Sequence, residues 1–293
     1  MKINQLYIII VLSVFMTSCS NPMSKFLIKE ADKTVPSKVV FQNNSKKAER
    51  YEWDFGDGKK STDSLPNHEY RRSGNYTITL KAIKGEKVSV SKQQLIVNAP
   101  IECMVEIETE YGTMLAVLSN KTPLHRDNFL KLSDEGYYDD LIFHRVISDF
   151  MIQGGDPNSR NAEPGIPLGG GGPDYKIPAE LVDTLVHSKG ALAAARTNNP
   201  MKESSGSQFY IVHGKKMSSE QVDYIESQKG FRYTPEARKA FIELGGTPFL
   251  DREYTVFGHI IKGLEVIDKI AAVQKDGRDR PTKDVKMKIR VIK

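Results

Sequence analysis

Apolar and polar residues alternate along much of the chain with the two-residue period of half-buried strands. Tyr51, Trp53 and Phe55 form one such set, Tyr76, Ile78, Leu80 and Ala82 a second, and Val88 and Val90 a third. Each set predicts a strand with its apolar residues on one face and its polar neighbours turned to solvent. Between the first two sets lies Asp54-Phe55-Gly56-Asp57-Gly58. Its glycines permit positive φ and its aspartates bond nearby backbone amides, which is the chemistry of a tight turn. It lacks the long ligand series of a calcium-binding EF-hand loop. Short strands separated by turns over residues 36–98 predict a β-sandwich.

From residue 101 to residue 293 the pattern changes. Glu102 to Glu108 and Thr113 to Leu118 read as two strands joined at Tyr111-Gly112. Thr122-Pro123 marks a helix start, Phe129 and Leu132 its apolar face, and Gly136 its stop. A second helix is expected after Gly263, with Leu264, Ile267, Ile270 and Ala271 on one side. Between them, short β runs and glycine turns predict a closed barrel.

Met1 to Ser18 stands apart: Lys2 gives a positive start, and Leu6 to Met16 is almost unbroken apolar sequence. That stretch is far shorter than the ~20 residues a membrane-spanning helix needs, and it reads as a secretory signal segment. Met16-Thr17-Ser18-Cys19 is similar to a bacterial lipobox, in which Cys19 is acylated. On that reading residues 19–35 form a polar tether, and the chain is exported and lipid-anchored to the bacterial cell envelope, facing the periplasm. Cys103, the other of the two cysteines, sits in an apolar strand-like stretch and reads as a small buried hydrophobe.

Charge adds little. A net charge of +5 over 293 residues is mild, and lysines and acids are interspersed apart from a basic finish at Lys283 to Lys293. No clustered basic face with interleaved aromatics is evident, so nucleic acid is not an expected partner.

The richest stretch is Phe143-His144-Arg145-Val146-Ile147-Ser148-Asp149-Phe150-Met151-Ile152-Gln153-Gly154-Gly155-Asp156. One arginine among alternating apolar residues, followed by a Phe-Met pair and a glutamine, suits a site that grips an uncharged apolar group and offers it one fixed cation. It does not suit hydrolysis, phosphate transfer or metal binding. Gly169 to Gly172 lacks the following Lys-Ser/Thr of a phosphate loop and is expected to be a flexible groove wall.

This run resembles the signature of the cyclophilin-type peptidyl-prolyl isomerases. Two further runs resemble that family as well: Gly190 to Thr197 leading to Gly206-Ser207-Gln208-Phe209-Tyr210-Ile211, and Phe249-Leu250-Asp251 followed by Tyr254 to Gly258. The resemblance implies a mainly β fold, an eight-stranded antiparallel β-barrel capped by two helices, with a cofactor-free, non-covalent site on its outer face. It implies Arg145 as the catalytic arginine and Phe150, Met151 and Gln153 as residues that line the proline pocket or orient that arginine. Ala195, Arg196, Thr197 and Gln208 fall along the peptide groove, and Tyr210 and Leu250 on its apolar wall. Phe249 and Tyr254 stand where eukaryotic members often carry tryptophan and histidine, a departure that bears on cyclosporin sensitivity.

Residues 215–246 form an insertion between the second and third runs. Ser218 with Gln221 resembles a capping box, Thr234-Pro235-Glu236 starts another helix with Ala237, Phe241 and Leu244 facing inward, and Gly245-Gly246 ends it. A helical hairpin beside the groove is expected.

In the first domain, Tyr51 to Gly58, His68-Glu69-Tyr70 and Gly74 to Leu80 resemble the PKD family of immunoglobulin-like domains. Such a domain serves as a spacer or contacts protein or glycan, and Trp53, in step with Tyr51 and Phe55, is expected in its core. The expected partners of the whole chain are proline-containing polypeptides and, through Cys19, a membrane. A chaperone or adhesion module that binds proline peptides with little turnover is the alternative reading.

Overall fold

The computed structural model describes residues 21–70, 73–98 and 102–292. The chain divides into two compact units, residues 1–99 and 100–293. The signal segment and Cys19 lie outside the described residues. No helix among the described residues is long and apolar enough to cross a membrane.

The first unit holds β1 (Phe26–Ala31), β2 (Ser37–Asn43), β3 (Arg50–Asp54), β4 (Lys60–Ser61), β5 (Asn67–Tyr70), β6 (Gly74–Lys84) and β7 (Lys87–Val97). They form two antiparallel sheets in the orders β1-β2-β5 and β4-β3-β6-β7, the predicted sandwich. Phe26, Phe41, Trp53, Phe55, Ile78 and Leu80 are buried in it. Trp53 packs 5.1 Å from Phe26 and 5.3 Å from Phe41 between ring centroids, and its indole N–H donates to the Asp63 carbonyl at 3.0 Å. The acid-rich turn follows its expected chemistry: the Gly56 N–H donates to Asp54 Oδ1 and the Lys59 N–H to Asp57 Oδ1.

Two expectations change here. The tether expected over residues 19–35 is not one along its described length, because Phe26–Ala31 is the edge strand β1 and Phe26 belongs to the core. Val88 and Val90 face solvent rather than the interior. The inner row of β7 is instead Ser89, Ser91 and Gln93, which bond the entering segment: the Ser24 N–H donates to Ser89 Oγ, Ser24 and Ser91 share a hydroxyl bond, and Gln93 Nε2 donates to the Phe26 carbonyl. Polar satisfaction of that segment sets which face of β7 turns inward.

The second unit contains β8 (Met104–Thr109), β9 (Gly112–Leu118), α1 (Pro123–Asp134), β10 (Arg145–Ile147), β11 (Met151–Gly154), β12 (Lys176–Ile177), β13 (Ala191–Ala194), β14 (Ser204–Ser205), β15 (Phe209–Val212), α2 (Ser219–Lys229), α3 (Pro235–Glu243), β16 (Val256–Lys262), α4 (Leu264–Ala271) and β17 (Met287–Ile292). Eight strands make one antiparallel sheet in the order β10-β11-β15-β13-β16-β9-β8-β17, while β12 and β14 pair separately. The sheet curls into a half-barrel whose edge strands β10 and β17 do not pair directly; the segments ahead of them join instead, with the Phe143 N–H donating to the Val285 carbonyl and Ile142 bridging Lys286. Phe129 and Leu132 of α1 and Val266, Ile267 and Ile270 of α4 join the strands in one core. Cys103 packs half-buried against it.

The insertion is the expected helical hairpin. Ser218 and Gln221 form the reciprocal capping box of α2, and the Thr234 side chain caps α3. Val222, Tyr233 and Phe241 make its small core. Leu244, expected inward, is exposed: it caps the end of α3, where the chain turns off into the glycine pair.

Trp53 is the single tryptophan of the chain, so its fluorescence reports on the first unit alone. Phe41→Ala is expected to destabilise that unit by about 3–5 kcal/mol, read as an earlier Trp53 transition in a denaturant titration.

Candidate active site

Strand periodicity builds the site. Val146, Ile152, Ile211 and Leu192 point into the main core, so their neighbours along each strand must point the other way. Register then sets those neighbours side by side. Arg145 lies opposite Gln153, Gln153 opposite Tyr210, and Tyr210 opposite Ala193. One row across four strands therefore carries the arginine, a glutamine and an aromatic wall on the convex face.

Met151 and Tyr210, with Ala191, Ala193, Ala195, Val212 and Val256, form a second buried cluster on that face, and Phe150, Leu250 and Tyr254 pack against it. Arg145, Phe150, Met151, Gln153, Ala195, Arg196, Tyr210, Leu250 and Tyr254 together line a hollow of about 180 Å³. Phe249 is exposed at its rim, stacked on Phe150 at 5.8 Å. Thr197 and Gln208 line a neighbouring hollow of about 360 Å³, which shares Gln153, Ala195 and Arg196 with the first. The twelve groove positions expected from sequence thus fall on one continuous surface, divided between two hollows and a rim.

The hairpin tip holding Phe150 is fixed from three sides. Its carbonyl accepts from the His213 and Gly214 N–H groups, the Asp149 N–H donates to His213 Nδ1 at 2.8 Å, and Ser148 Oγ donates to the Ala271 carbonyl. Asp149 takes φ 62° to make the turn.

The two cations of the hollow are in different states. Arg196 is nearly buried. It donates to the Glu253 carbonyl and carboxylate and lies 4.5 Å from the Tyr254 ring centroid. Arg145 is half-exposed and stands 3.9 Å from Asp279, itself half-exposed. Such a loose surface pair is worth about 0–1 kcal/mol, so Arg145 can turn its donors toward a ligand while Arg196 serves as wall.

Gln153 does not orient Arg145 through a hydrogen bond. Its amide donates to Gln208 Oε1 at 3.1 Å, and Gln208 Nε2 donates in turn to the Gly169 and Gly171 carbonyls. Buried Asp156 accepts from the Gly169 and Gly171 N–H groups. The glycine run is therefore a groove wall, as expected, but one pinned by Gln208 and Asp156. A Cβ at Gly171 would collide with the Asp156 and Asn158 side chains, so glycine is needed there for close approach and not for mobility.

Sequence reasoning did not single out Asp156, His187 or Tyr233. Asp156 closes the quoted signature and Asp251 stands in the third run, so both were visible as motif positions. His187 and Tyr233 carry no local signal, because their role arises only from contacts made in the fold.

The chain is similar to proteins of known family. The family described as cyclophilin type peptidyl-prolyl cis-trans isomerase/CLD matches residues 104–291, and the PKD domain family matches residues 23–98. A Streptococcus pyogenes protein named as a bifunctional phosphatase/peptidyl-prolyl cis-trans isomerase is 41% identical over 186 residues, covering 62% of this chain and 37% of that one. A Staphylococcus haemolyticus protein named as a peptidyl-prolyl cis-trans isomerase is 35% identical over 185 residues, covering 63% of this chain and 88% of its own. The crystal structure of a Cryptosporidium parvum cyclophilin type peptidyl-prolyl cis-trans isomerase is 26% identical, with a TM-score of 0.47, covering 65% of this chain and 97% of that one. The second unit is a curled β-sheet domain with the candidate site on its outer face. The chain belongs to the cyclophilin-type peptidyl-prolyl cis-trans isomerase family and carries a PKD domain ahead of the isomerase domain.

His144, beside the arginine, is buried with neither ring nitrogen hydrogen-bonded. Burial brings its pKa from 6.5 down to about 4, partly opposed by Asp156 and assisted by Arg145 and Arg280. Above pH 6.5 the ring is neutral folded or unfolded; below it, the unfolded chain takes a proton that the native ring refuses. The gap corresponds to roughly 3 kcal/mol of stability, lost as pH falls from 6.5 toward 4. His144→Gln is expected to flatten that acid limb in urea unfolding measured across the range.

Proposed function

We propose that this chain isomerises X–Pro bonds in exported proteins at the bacterial cell envelope, held there by a lipid anchor on Cys19. The observation that supports the chemistry best is the hollow walled by Phe150, Met151, Tyr210 and Leu250, with a half-exposed Arg145 at its edge and its other cation, Arg196, tied to Glu253.

The bond to be rotated has a barrier of about 18–20 kcal/mol, set by resonance between the prolyl nitrogen and its carbonyl. Phe150, Met151, Tyr210 and Leu250 take the proline ring and exclude water from the amide. As the bond twists, the nitrogen becomes pyramidal and regains a lone pair. Arg145 donates to that lone pair, an interaction stronger in the transition state than in either ground state, and so lowers the barrier. Gln208, Gln153 and the pinned glycine wall carry the peptide alongside. No bond is made or broken in this scheme.

The anchor reading rests on sequence: a short apolar stretch ending in Met16-Thr17-Ser18-Cys19. Acyl chains there contribute about 0.8 kcal/mol per buried CH₂. The PKD domain acts in this scheme as a spacer. Trp53 is buried in its core rather than offered as a stacking platform for sugar.

In a protease-coupled assay on a proline tetrapeptide, Arg145→Ala is expected to lower kcat/KM by roughly 10²–10³-fold, with little change in Tm. Arg145→Lys is expected to recover little, since an ammonium lacks the guanidinium fork. Equal rates in wild type and Arg145→Ala would exclude the mechanism. Cys19→Ser is expected to move the chain from the membrane to the soluble fraction in the source cell and to remove the acyl mass from its N-terminal peptide. A wild-type N-terminus without lipid would refute the anchor.

A further inference from the structure

The 215–246 insertion touches the back of the proline hollow through a buried polar chain. The Tyr210 hydroxyl lies 2.9 Å from His187 Nε2, and His187 Nδ1 lies 2.6 Å from Asp251 Oδ1. The His187 backbone N–H donates to the same Asp251 oxygen, and the Tyr233 hydroxyl donates to Asp251 Oδ2 at 2.7 Å. His187, Asp251, Tyr210 and Tyr233 are all buried. Tyr233 follows α2 in the insertion, whereas Tyr210 is a wall of the hollow.

Hydrogen bonding fixes the direction of this chain. A buried carboxylate requires donors, and Asp251 has three: the His187 backbone N–H, the His187 ring at Nδ1 and the Tyr233 hydroxyl. With its Nδ1 proton committed to the carboxylate, a neutral His187 accepts at Nε2, so the Tyr210 hydroxyl is the donor there. That hydroxyl is thereby turned away from the hollow, and the ring is held as its wall. Burial pushes the Tyr210 and Tyr233 hydroxyls well above their ordinary pKa, consistent with both remaining donors.

The insertion also grips the turn that carries the rest of the wall. Lys229 Nζ donates to the Phe249 and Asp251 carbonyls at 3.1 and 2.7 Å. The Tyr233 hydroxyl also lies 3.3 Å from the Pro248 carbonyl oxygen, and the Arg252 guanidinium lies 3.9 Å from the Phe231 ring centroid. Residues 248–252, which present Phe249 and Leu250 to the groove, thus take their position from α2 and the segment after it.

We infer that the insertion is part of the isomerase site: Tyr233, acting through Asp251 and His187, is a positioning residue that holds Tyr210 in the form that receives the proline ring. This rests on the proline-binding reading of the hollow. Removing the Tyr233 hydroxyl leaves Asp251 Oδ2 without its donor, frees the chain behind Tyr210 and weakens peptide binding, with little effect on the chemical step made by Arg145.

The test is a double-mutant cycle in the full chain, comparing wild type, Tyr233→Phe, Tyr210→Phe and the double variant. Affinity for a proline dipeptide is read by NMR titration, and KM and kcat by the protease-coupled assay. Tyr233→Phe is expected to weaken dipeptide affinity and raise KM by roughly three- to tenfold, with kcat changed less than twofold. In the Tyr210→Phe background the same change is expected to have no further effect, because the link it acts through is already cut. A purely structural Tyr233 would instead give equal losses in both backgrounds, and that additivity, or an unchanged affinity in Tyr233→Phe, overturns the inference. Titration reports the coupling even if turnover is absent, so failure of catalysis and failure of the coupling are read separately. A wild-type chain that neither binds nor turns over overturns both.

Discussion

The constraint on which the site depends is the pleat of the curled sheet. Residues at Val146, Ile152, Leu192 and Ile211 have to fill the interior beneath α1 and α4. Their sequence neighbours are therefore forced outward, and antiparallel register brings Arg145, Gln153, Tyr210 and Ala193 into one line. A slip of one residue in the Arg145–Gln153 pairing would send the arginine into the core and Val146 to the surface. Fold stability and site assembly are thus enforced by the same register.

Charge placement completes what register begins. The hollow contains two guanidinium groups, and a ligand would meet a blurred field if both were free. Arg196 is tied to Glu253 and covered by Tyr254, while Arg145 keeps only a loose contact with Asp279. One mobile donor beside an apolar floor is what the twisting of a prolyl amide calls for: water is kept off the nitrogen, and a single donor is available when the lone pair forms.

Much of this was legible in the sequence because it is carried by local spacing. Alternation placed β3, β6 and β7 of the sandwich, the Ser218–Gln221 and Thr234-Pro235 signals placed both helices of the insertion, and three separated motifs gathered the groove residues. What escaped the sequence depends on partners far away along the chain. Val88 and Val90 looked like inward residues until Ser24, some 65 positions earlier, was seen to bond Ser89. Residues 26–31 looked like tether because the apolar run Phe26-Leu27-Ile28 does not alternate with polar residues and Lys29 and Glu30 follow it at once. Gln153 lies in register with Arg145, yet its amide is claimed by Gln208, a competition that no spacing rule predicts.

The insertion shows how a segment foreign to the three motifs can become part of their site. An aromatic at position 210 could form the apolar wall without its hydroxyl; with it, the ring gains a buried polar tip that must be satisfied. His187 supplies the acceptor, His187 needs an anionic partner to fix its tautomer, and Asp251 in turn needs a further donor on its second oxygen. Residues 248–251 sit directly after the insertion, so the donor came from the segment nearest to hand, Tyr233. Each polar group added behind the wall obliges another, and the chain of obligations ends only where the hairpin core of Val222 and Phe241 closes over Tyr233. A purely apolar wall would make no such demand, and the hairpin's polar hold would then rest on the backbone of the wall turn, where Lys229 donates to the Phe249 and Asp251 carbonyls.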